Sequence, residues 1–492
     1  MTFKCDSQTT YSRDELQPRI VHIGCGAFHR GHQAVYNDIC NELSQEALWG
    51  IAEVSLRGST SIAKDLTDQE FEFCVLETNA VGSETRLVRT VIGATDIAHE
   101  GLGKVLRWFG HDDLRIVSLT ITEKGYCVDP LTGRLDLHHP DIAHDLSHFD
   151  APKSAIGLIA LALKLRYTQG LAGVSVLSCD NMPENGLVLK AAVMDFLYEM
   201  DPLLASWAKE HVSFPSTMVD RIVPAMTHES KEQLQQSVGK QDKCGVIGES
   251  FRQWVIEDNF VSGRPDWDKA GANLVEDVIP FEEMKLRLLN GSHTFMAIIG
   301  SLMDIESVSQ GIANPKLKSA VSLLMNVQKR SLNPELNIDI NEYTQALITR
   351  FENPNIVHLL SQIAMDSSQK IPVRIIQPMR LLQEQGEPVD THIFLLSAWV
   401  RFVEQFFQDG FSDPKSENLA TLLVLRDQHE PKVWCRNVLV ASGFFNRDDV
   451  LLTQLLPAIS DGYTQIKTQG MEDALTALLS NSSNLSNALN VE

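Results

Sequence analysis

One change of pattern limits what this chain can fold into: strand signals recur up to about Pro280 and nearly vanish after it. Before Pro280, short apolar runs alternate with helix-compatible stretches. Strand candidates are Arg19–Gly24, Trp49–Leu56, Phe73–Leu76, Leu114–Ile121 and Gly173–Ser178, with helices over about His32–Leu43 and Ser154–Thr168. Strands separated by helices predict a mostly parallel sheet covered on both faces. After Pro280, helical periodicities dominate: 281–303, 315–328, 341–351, 355–365, 375–384, 389–408 and 431–441. The reading is an α/β domain over residues 1–280, then an all-helical domain over 281–492. The Ser/Asn-rich stretch from Ser480 is expected to fray.

The run Arg19-Ile-Val-His-Ile-Gly24 ends in Gly24-Cys-Gly26 and leads into a helix. Strand, Gly-x-Gly and helix form the geometry that seats a pyrophosphate on backbone N–H groups. The first domain therefore reads as Rossmann-like and dinucleotide-binding. One departure stands out: His29 occupies the place of the usual third glycine. A carboxylate ending the second strand would hold the ribose of NAD. After Val54-Ser-Leu-Arg57 the chain instead offers Gly58-Ser59-Thr60, while Glu53 lies nearby but early. Arg57 could neutralise a 2′-phosphate, so NAD and NADP both stay open on these residues.

The 42 basic and 64 acidic residues give a net charge of −22, a field that repels a nucleic-acid backbone. No apolar run approaches the roughly 20 residues of a membrane span, and the start lacks an apolar signal core. Eight scattered cysteines without a C-x-x-C pair suit reduced thiols and a cytoplasmic location. His138, His139 and His144 lie in a polar, turn-rich stretch and read as surface, so no metal is expected. Monomer and dimer fit equally.

The stretch Lys285-Leu-Arg-Leu-Leu-Asn290-Gly-Ser-His293 sets three chemically able side chains in a greasy segment. Met284, Leu286, Leu288, Leu289, Phe295, Met296, Ile298 and Ile299 leave no broad polar face, which predicts a buried helix. Pro280 suits its first turn, and Glu282 and Glu283 complement its positive end. At about 100° per residue, Asn290 lies about 140° and His293 about 80° from Lys285, so all three can line one cavity wall. Gly291 could let a ligand approach the backbone. A buried ammonium needs a partner, a depressed pKa or a chemical role. The alternative is a lysine whose tip escapes to water, beside satisfied core polar groups.

These residues carry a family resemblance. Ile23-Gly-Cys-Gly-Ala-Phe-His-Arg30, Ser118-Leu-Thr-Ile-Thr-Glu-Lys-Gly-Tyr126, Ser178-Cys-Asp-Asn181, Met218-Val-Asp-Arg221, Phe251-Arg-Gln-Trp-Val-Ile-Glu-Asp258 and the Lys285/Asn290/His293 signature span most of the chain. Together they resemble the long-chain polyol and sugar-acid dehydrogenases, the mannitol dehydrogenase family. The resemblance implies a metal-independent hydride transfer between NAD, with NADP not excluded, and a secondary alcohol or ketone. It implies Lys285 as general acid/base, Asn290 and Asn181 as holders of the substrate oxygen, and His293 as an orienting group. It also implies Ile23, Gly24, Gly26, Ala27, Phe28, His29 and Arg30 around the cofactor, His29 and Arg30 beside its phosphates. Glu123 and Asp220 match positions near cofactor and active site, although either suits a capping or ion-paired carboxylate. Trp254 and Trp267 read as core.

Within the family the sugar-acid branch is favoured over the polyol branch. A sugar acid needs a local cationic clamp in so acidic a chain, ideally a guanidinium. Candidates are Lys124, Arg252 and Arg287, with Lys370 able to bind a substrate hydroxyl in either branch. Arg287 points about 160° from Lys285 and is the weakest of them. Mannitol dehydrogenases carry an arginine eight residues before that last lysine, where this chain has Gln362. Other sugar acids and alditols share the catalytic signature.

Overall fold

A computed structural model describes residues 3–44, 48–56, 62–129, 132–334, 336, 338–409 and 411–489. Arg57 and Gly58-Ser59-Thr60, on which the ribose argument turned, lie outside the described residues. The chain divides into two compact units, Met1–Ile279 and Pro280–Glu492.

The first unit is Rossmann-like. Five parallel strands, β1 (Gln17–Ile23), β2 (Trp49–Ser55), β3 (Val91–Asp96), β4 (Ile116–Leu119) and β5 (Ser175–Ser178), run in the order β3-β2-β1-β4-β5. Helices cover both faces of such a sheet, so its strands read as apolar runs. Val21, Ile23, Ala52, Val54 and Leu119 have no exposed surface. Helix Ala155–Gln169 begins where the Ser154 hydroxyl accepts from Gly157 N at 2.9 Å and ends at Gly170, whose φ is +67°.

Two sequence expectations shift here. β3 has no clear strand pattern because Gly93 interrupts it; a Cβ there would meet the Trp108 ring at 2.8 Å. Phe73–Thr78, expected with the parallel strands, instead forms a hairpin with Ser83–Val88. The Asn79 carboxamide oxygen folds the turn, accepting from Val81 N at 2.8 Å and Gly82 N at 3.0 Å. This hairpin belongs to a separate four-stranded sheet with Ser7–Gln8 and Val246–Glu249. A three-stranded sheet holds Asn273–Val275, Gln253–Glu257 and Thr217–Asp220, with Trp254 and Trp267 buried beneath it.

Among its described residues the second unit is built of helices and their connections, with no strand, around a core that includes Leu288, Phe295, Trp399, Trp434 and Ile459. Its long helices Asp390–Phe406 and Val450–Gln469 pack together, and Gly462 clears space for Ser397. The C-terminal stretch is helical rather than frayed: Met471–Leu489 is one helix, anchored by buried Met471, Ala474 and Leu475. Among the described residues, no helix is long and apolar enough to cross a membrane.

Candidate active site

At the C-terminal ends of β1, β2 and β4, the first unit has a cavity of about 510 Å³. Ile23, Gly24, Ser55, Thr120, Lys124 and Lys153 are among its walls. Gly24 has φ +105°, and a Cβ there would sit 2.1 Å from Thr120 O, so the turn demands glycine. Gly26 is different: an added Cβ would meet nothing nearer than Gly24 O at 3.9 Å. The chain itself does not require that glycine, which leaves its backbone open to an outside group.

His29 and Arg30 follow the glycines but turn inward, correcting the expectation that they border phosphates. His29 is 1% exposed, and its Nε2 lies 2.6 Å from Glu53 Oε1. Glu53 is thereby committed to the core and is not a ribose ligand. Arg30 donates to Cys25 O at 2.7 Å and Cys244 O at 2.8 Å, tying the turn to a neighbouring strand. The imidazoles of His22 and His29 stack at 3.5 Å. Burial and the adjacent His29 hold His22 well below the usual histidine value. His22, His29 and Glu53 bring their donor atoms within 4.8 Å. Stacked rings, however, aim their lone pairs along parallel planes, and His22 already meets Ser118 Oγ at 2.8 Å and Thr120 Oγ1 at 3.0 Å. The cluster reads as a hydrogen-bonded floor under the glycine turn. Ala27 and Phe28 are half-buried, and Phe28 stacks on His32 at 5.1 Å.

Asn181 lies just past the end of β5 and is exposed. Its neighbour Asp180 joins the strand ends by accepting from Ile121 N, Thr122 N and the Tyr126 hydroxyl at 2.7–3.0 Å. Glu123 and Lys124 are exposed on the short turn Glu123–Tyr126, with Lys124 bordering the cavity. Asp220 is buried at the end of Thr217–Asp220. Arg252 has other surroundings: its Nη1 is 3.4 Å from Glu77 Oε1, and it lies 5.5 Å from the Tyr36 ring centroid. The proposed pair Lys124 and Arg252 is therefore not brought together by any described contact.

In the second unit, Lys285 closes helix Ile279–Lys285, and Leu286–Asn290 is a π-turn before helix Gly291–Ser301. Gly291 N donates to Leu286 O, five residues back. The wider turn corrects the α-helical angle, because an i→i+5 turn winds less per residue and brings residues five apart closer in angle. Lys285 and Asn290 are thereby closer in angle than the about 140° that regular α-helical winding gives. Lys285 is 6% exposed. His293 is buried against Phe351 and His358, with ring centroids 4.9 and 5.0 Å away. Burial, then His358, Arg350, Arg374 and Lys285, push His293 well below its usual value. Its Nε2 has no hydrogen-bond partner among the described residues.

A second π-turn, Pro372–Ile376, packs on the first. The space beside Gly291 is filled from within: a Cβ would meet Gln328 Nε2 at 2.8 Å and Arg374 O at 3.4 Å. Lys370, just before this turn, donates to Ile363 O at 3.1 Å, and burial lowers its pKa. Arg287 is structural, binding Glu283 at 2.8 Å and donating to Ser331 O. The sequence reading missed Arg374, Arg350 and His358. The signal for Arg374 was present: a charge inside the apolar run Ile371-Pro-Val-Arg-Ile-Ile376.

Comparison with known proteins agrees with this architecture. Residues 18–269 match the mannitol dehydrogenase Rossmann domain, and 277–448 match the mannitol dehydrogenase C-terminal domain. The chain is 41% identical to D-mannonate oxidoreductase of Escherichia coli K12, over 96% of this chain and 98% of that protein. It is 34% identical to mannitol 2-dehydrogenase of Phaeosphaeria nodorum, over 83% of this chain and 74% of that one. A structure of Pseudomonas fluorescens mannitol 2-dehydrogenase with NAD and D-mannitol is 32% identical, covers 96% of each chain and has a TM-score of 0.80. The chain belongs to the mannitol dehydrogenase family, whose named relatives here are oxidoreductases.

Proposed function

We propose that this protein is an NAD-dependent fructuronate reductase, interconverting D-mannonate and D-fructuronate without a metal. The observation that carries the reading is a buried lysine, Lys285, set immediately before a π-turn that ends in Asn290. Bound NADH would supply the hydride to the ketone carbon. The ketone oxygen then gains negative charge, which a fixed donor in a dry site stabilises. The Lys285 ammonium gives that oxygen its proton, and in the reverse direction the amine takes it back. The Asn290 amide donates to the same oxygen, and the resemblance adds Asn181 as a second amide donor. His293, held neutral, offers its unpaired Nε2 to a substrate hydroxyl. Gly24, Gly26 and the cavity at the ends of β1, β2 and β4 would seat the dinucleotide.

The near full-length likeness to D-mannonate oxidoreductase supports the sugar acid. The mannitol 2-dehydrogenase relatives support a second reading, an alditol dehydrogenase. Eight free cysteines suit a cytoplasmic setting. The test is loss of NADH absorbance with fructuronate, beside fructose, tagaturonate and an NADPH control. Oxidation is expected to be fast with fructuronate and slow with fructose; preference for fructose would move the protein to the polyol branch.

A further inference from the structure

Buried guanidinium groups elsewhere in the chain are paired or hydrogen-bonded to the backbone. Arg221 meets Glu77 Oε1 at 2.7 Å and Glu249 O at 2.9 Å. Arg166 donates to Ala172 O and Phe109 O, both at 2.8 Å. Arg374 is half-buried and held by fewer groups. Its Nη1 reaches only the Thr294 hydroxyl at 3.1 Å and, weakly, Asn290 O at 3.5 Å. Among the described residues it has no carboxylate partner. Burial pushes its pKa down to about 10 without an acid to offset it, so it remains charged near neutrality.

Its surroundings add positive charge and unused polar atoms. Lys370 precedes it by four residues in the same helical run and donates to the carbonyl oxygens of Ile363 and Met365, with Asp366 and Asp413 near enough to favour its charged form. His358 Nδ1 and His293 Nε2 are buried without hydrogen-bond partners among the described residues. A guanidinium withdrawn from water is costly unless something of opposite charge meets it. A planar carboxylate is the partner its fork fits best.

We propose that Arg374 receives the carboxylate of the substrate, with Lys370 and His358 beside it. This assignment rests on the sugar-acid reading above and replaces Lys124 and Arg252 as the carboxylate clamp. Arg374 touches the backbone of Asn290 and the hydroxyl of Thr294, so the anion site is built onto the catalytic helix itself. A neutral ketose would gain nothing from it.

The experiment is steady-state kinetics of the full chain and its Arg374→Gln variant with fructuronate and with fructose, alongside NADH affinity. The expected result is a KM for fructuronate raised at least tenfold, with fructose KM and NADH affinity unchanged. Arg374→Lys, which keeps charge and a donor for Thr294, should recover part of that loss. Unchanged selectivity, or equal losses for both ketones with NADH affinity intact, would overturn Arg374 and leave the sugar-acid reading standing. Should both variants fold poorly, the wild-type enzyme decides. D-mannonate should then inhibit fructose reduction at least tenfold more tightly than its neutral amide, and equal inhibition would refute the anion site. A wild-type enzyme that rejects every sugar acid overturns both proposals.

Discussion

The glycine turn of the first unit and the paired π-turns of the second both concentrate buried polar side chains, yet they use them in opposite ways. Beneath the glycine turn, His29 has Glu53, Arg30 has two carbonyl oxygens and His22 has two hydroxyls. Around the π-turns, among the described residues, His293 Nε2 and His358 Nδ1 have no hydrogen-bond partner, and Arg374 has no acid. The first arrangement sets a chain group at close range to each side chain and holds a backbone shape, although the 2.6 Å approach of His29 to Glu53 leaves His29 Nδ1 and both Glu53 oxygens without a hydrogen bond of good geometry. The second leaves polar atoms open, and the proposed substrate would complete it. A buried charge is thus informative mainly through what its neighbours leave undone.

The largest expected effect falls on the second region. Lys285→Ala should lower kcat by about 10²–10⁴-fold, the usual contribution of a positioned acid or base. NADH affinity, measured by fluorescence titration, should not change. Near-normal turnover would return Lys285 to the alternative in which its tip only reaches water.

The first region should answer in stability. Glu53→Ala removes the group that His29 meets in the core, and leaving a buried polar group without its partner costs about 1–3 kcal/mol. The urea midpoint should fall, while kcat of the folded fraction stays near wild type. A variant of normal stability and poor NADH affinity would contradict the contrast and make Glu53 a ligand after all.

Much of this contrast could be read from sequence, and the part that could not has definite causes. Lys285, Asn290 and His293 announced themselves by interrupting an apolar segment. That α-helical spacing gives way to a π-turn was hidden, because the same greasy residues satisfy either winding. Arg374 carried the same kind of signal as Lys285, but its worth depends on Thr294 and Asn290, some 80 residues earlier in the chain. His29 and Arg30 misled because motif position gives proximity to the turn and not the direction of a side chain. The change of pattern at Pro280 gave the α/β and helical fold classes, whereas β3 was lost to Gly93, whose need is a contact with Trp108.

Acid should reveal the second unit's buried histidines. Burial lowers His392 to about 3, and His392 Nε2 has no partner among the described residues. In the unfolded chain it titrates near 6.5, so below that pH the unfolded state binds a proton that the fold refuses. The stabilising contribution is complete above about 6.5 and falls by about 1.4 kcal/mol per pH unit as pH drops toward 3. His392→Leu should therefore flatten the loss of urea midpoint between pH 7 and pH 5. An unaltered slope would mean that His392 is protonated in the fold.

The smallest effect discriminates most sharply between cofactor and substrate roles. Lys124 is exposed and borders the cavity that contains Gly24, where a long, solvated ammonium can screen an anion only weakly. Exposed ion pairs contribute about 0.2–1 kcal/mol, so Lys124→Met should raise KM for NADH by no more than about fivefold. The change should shrink with added salt, since an interaction at that exposure is screened. KM for fructuronate should stay put, because the carboxylate is assigned to Arg374. If fructuronate KM rises and NADH KM does not, Lys124 belongs to the substrate site, and the guanidinium beside Asn290 must be explained by structure alone.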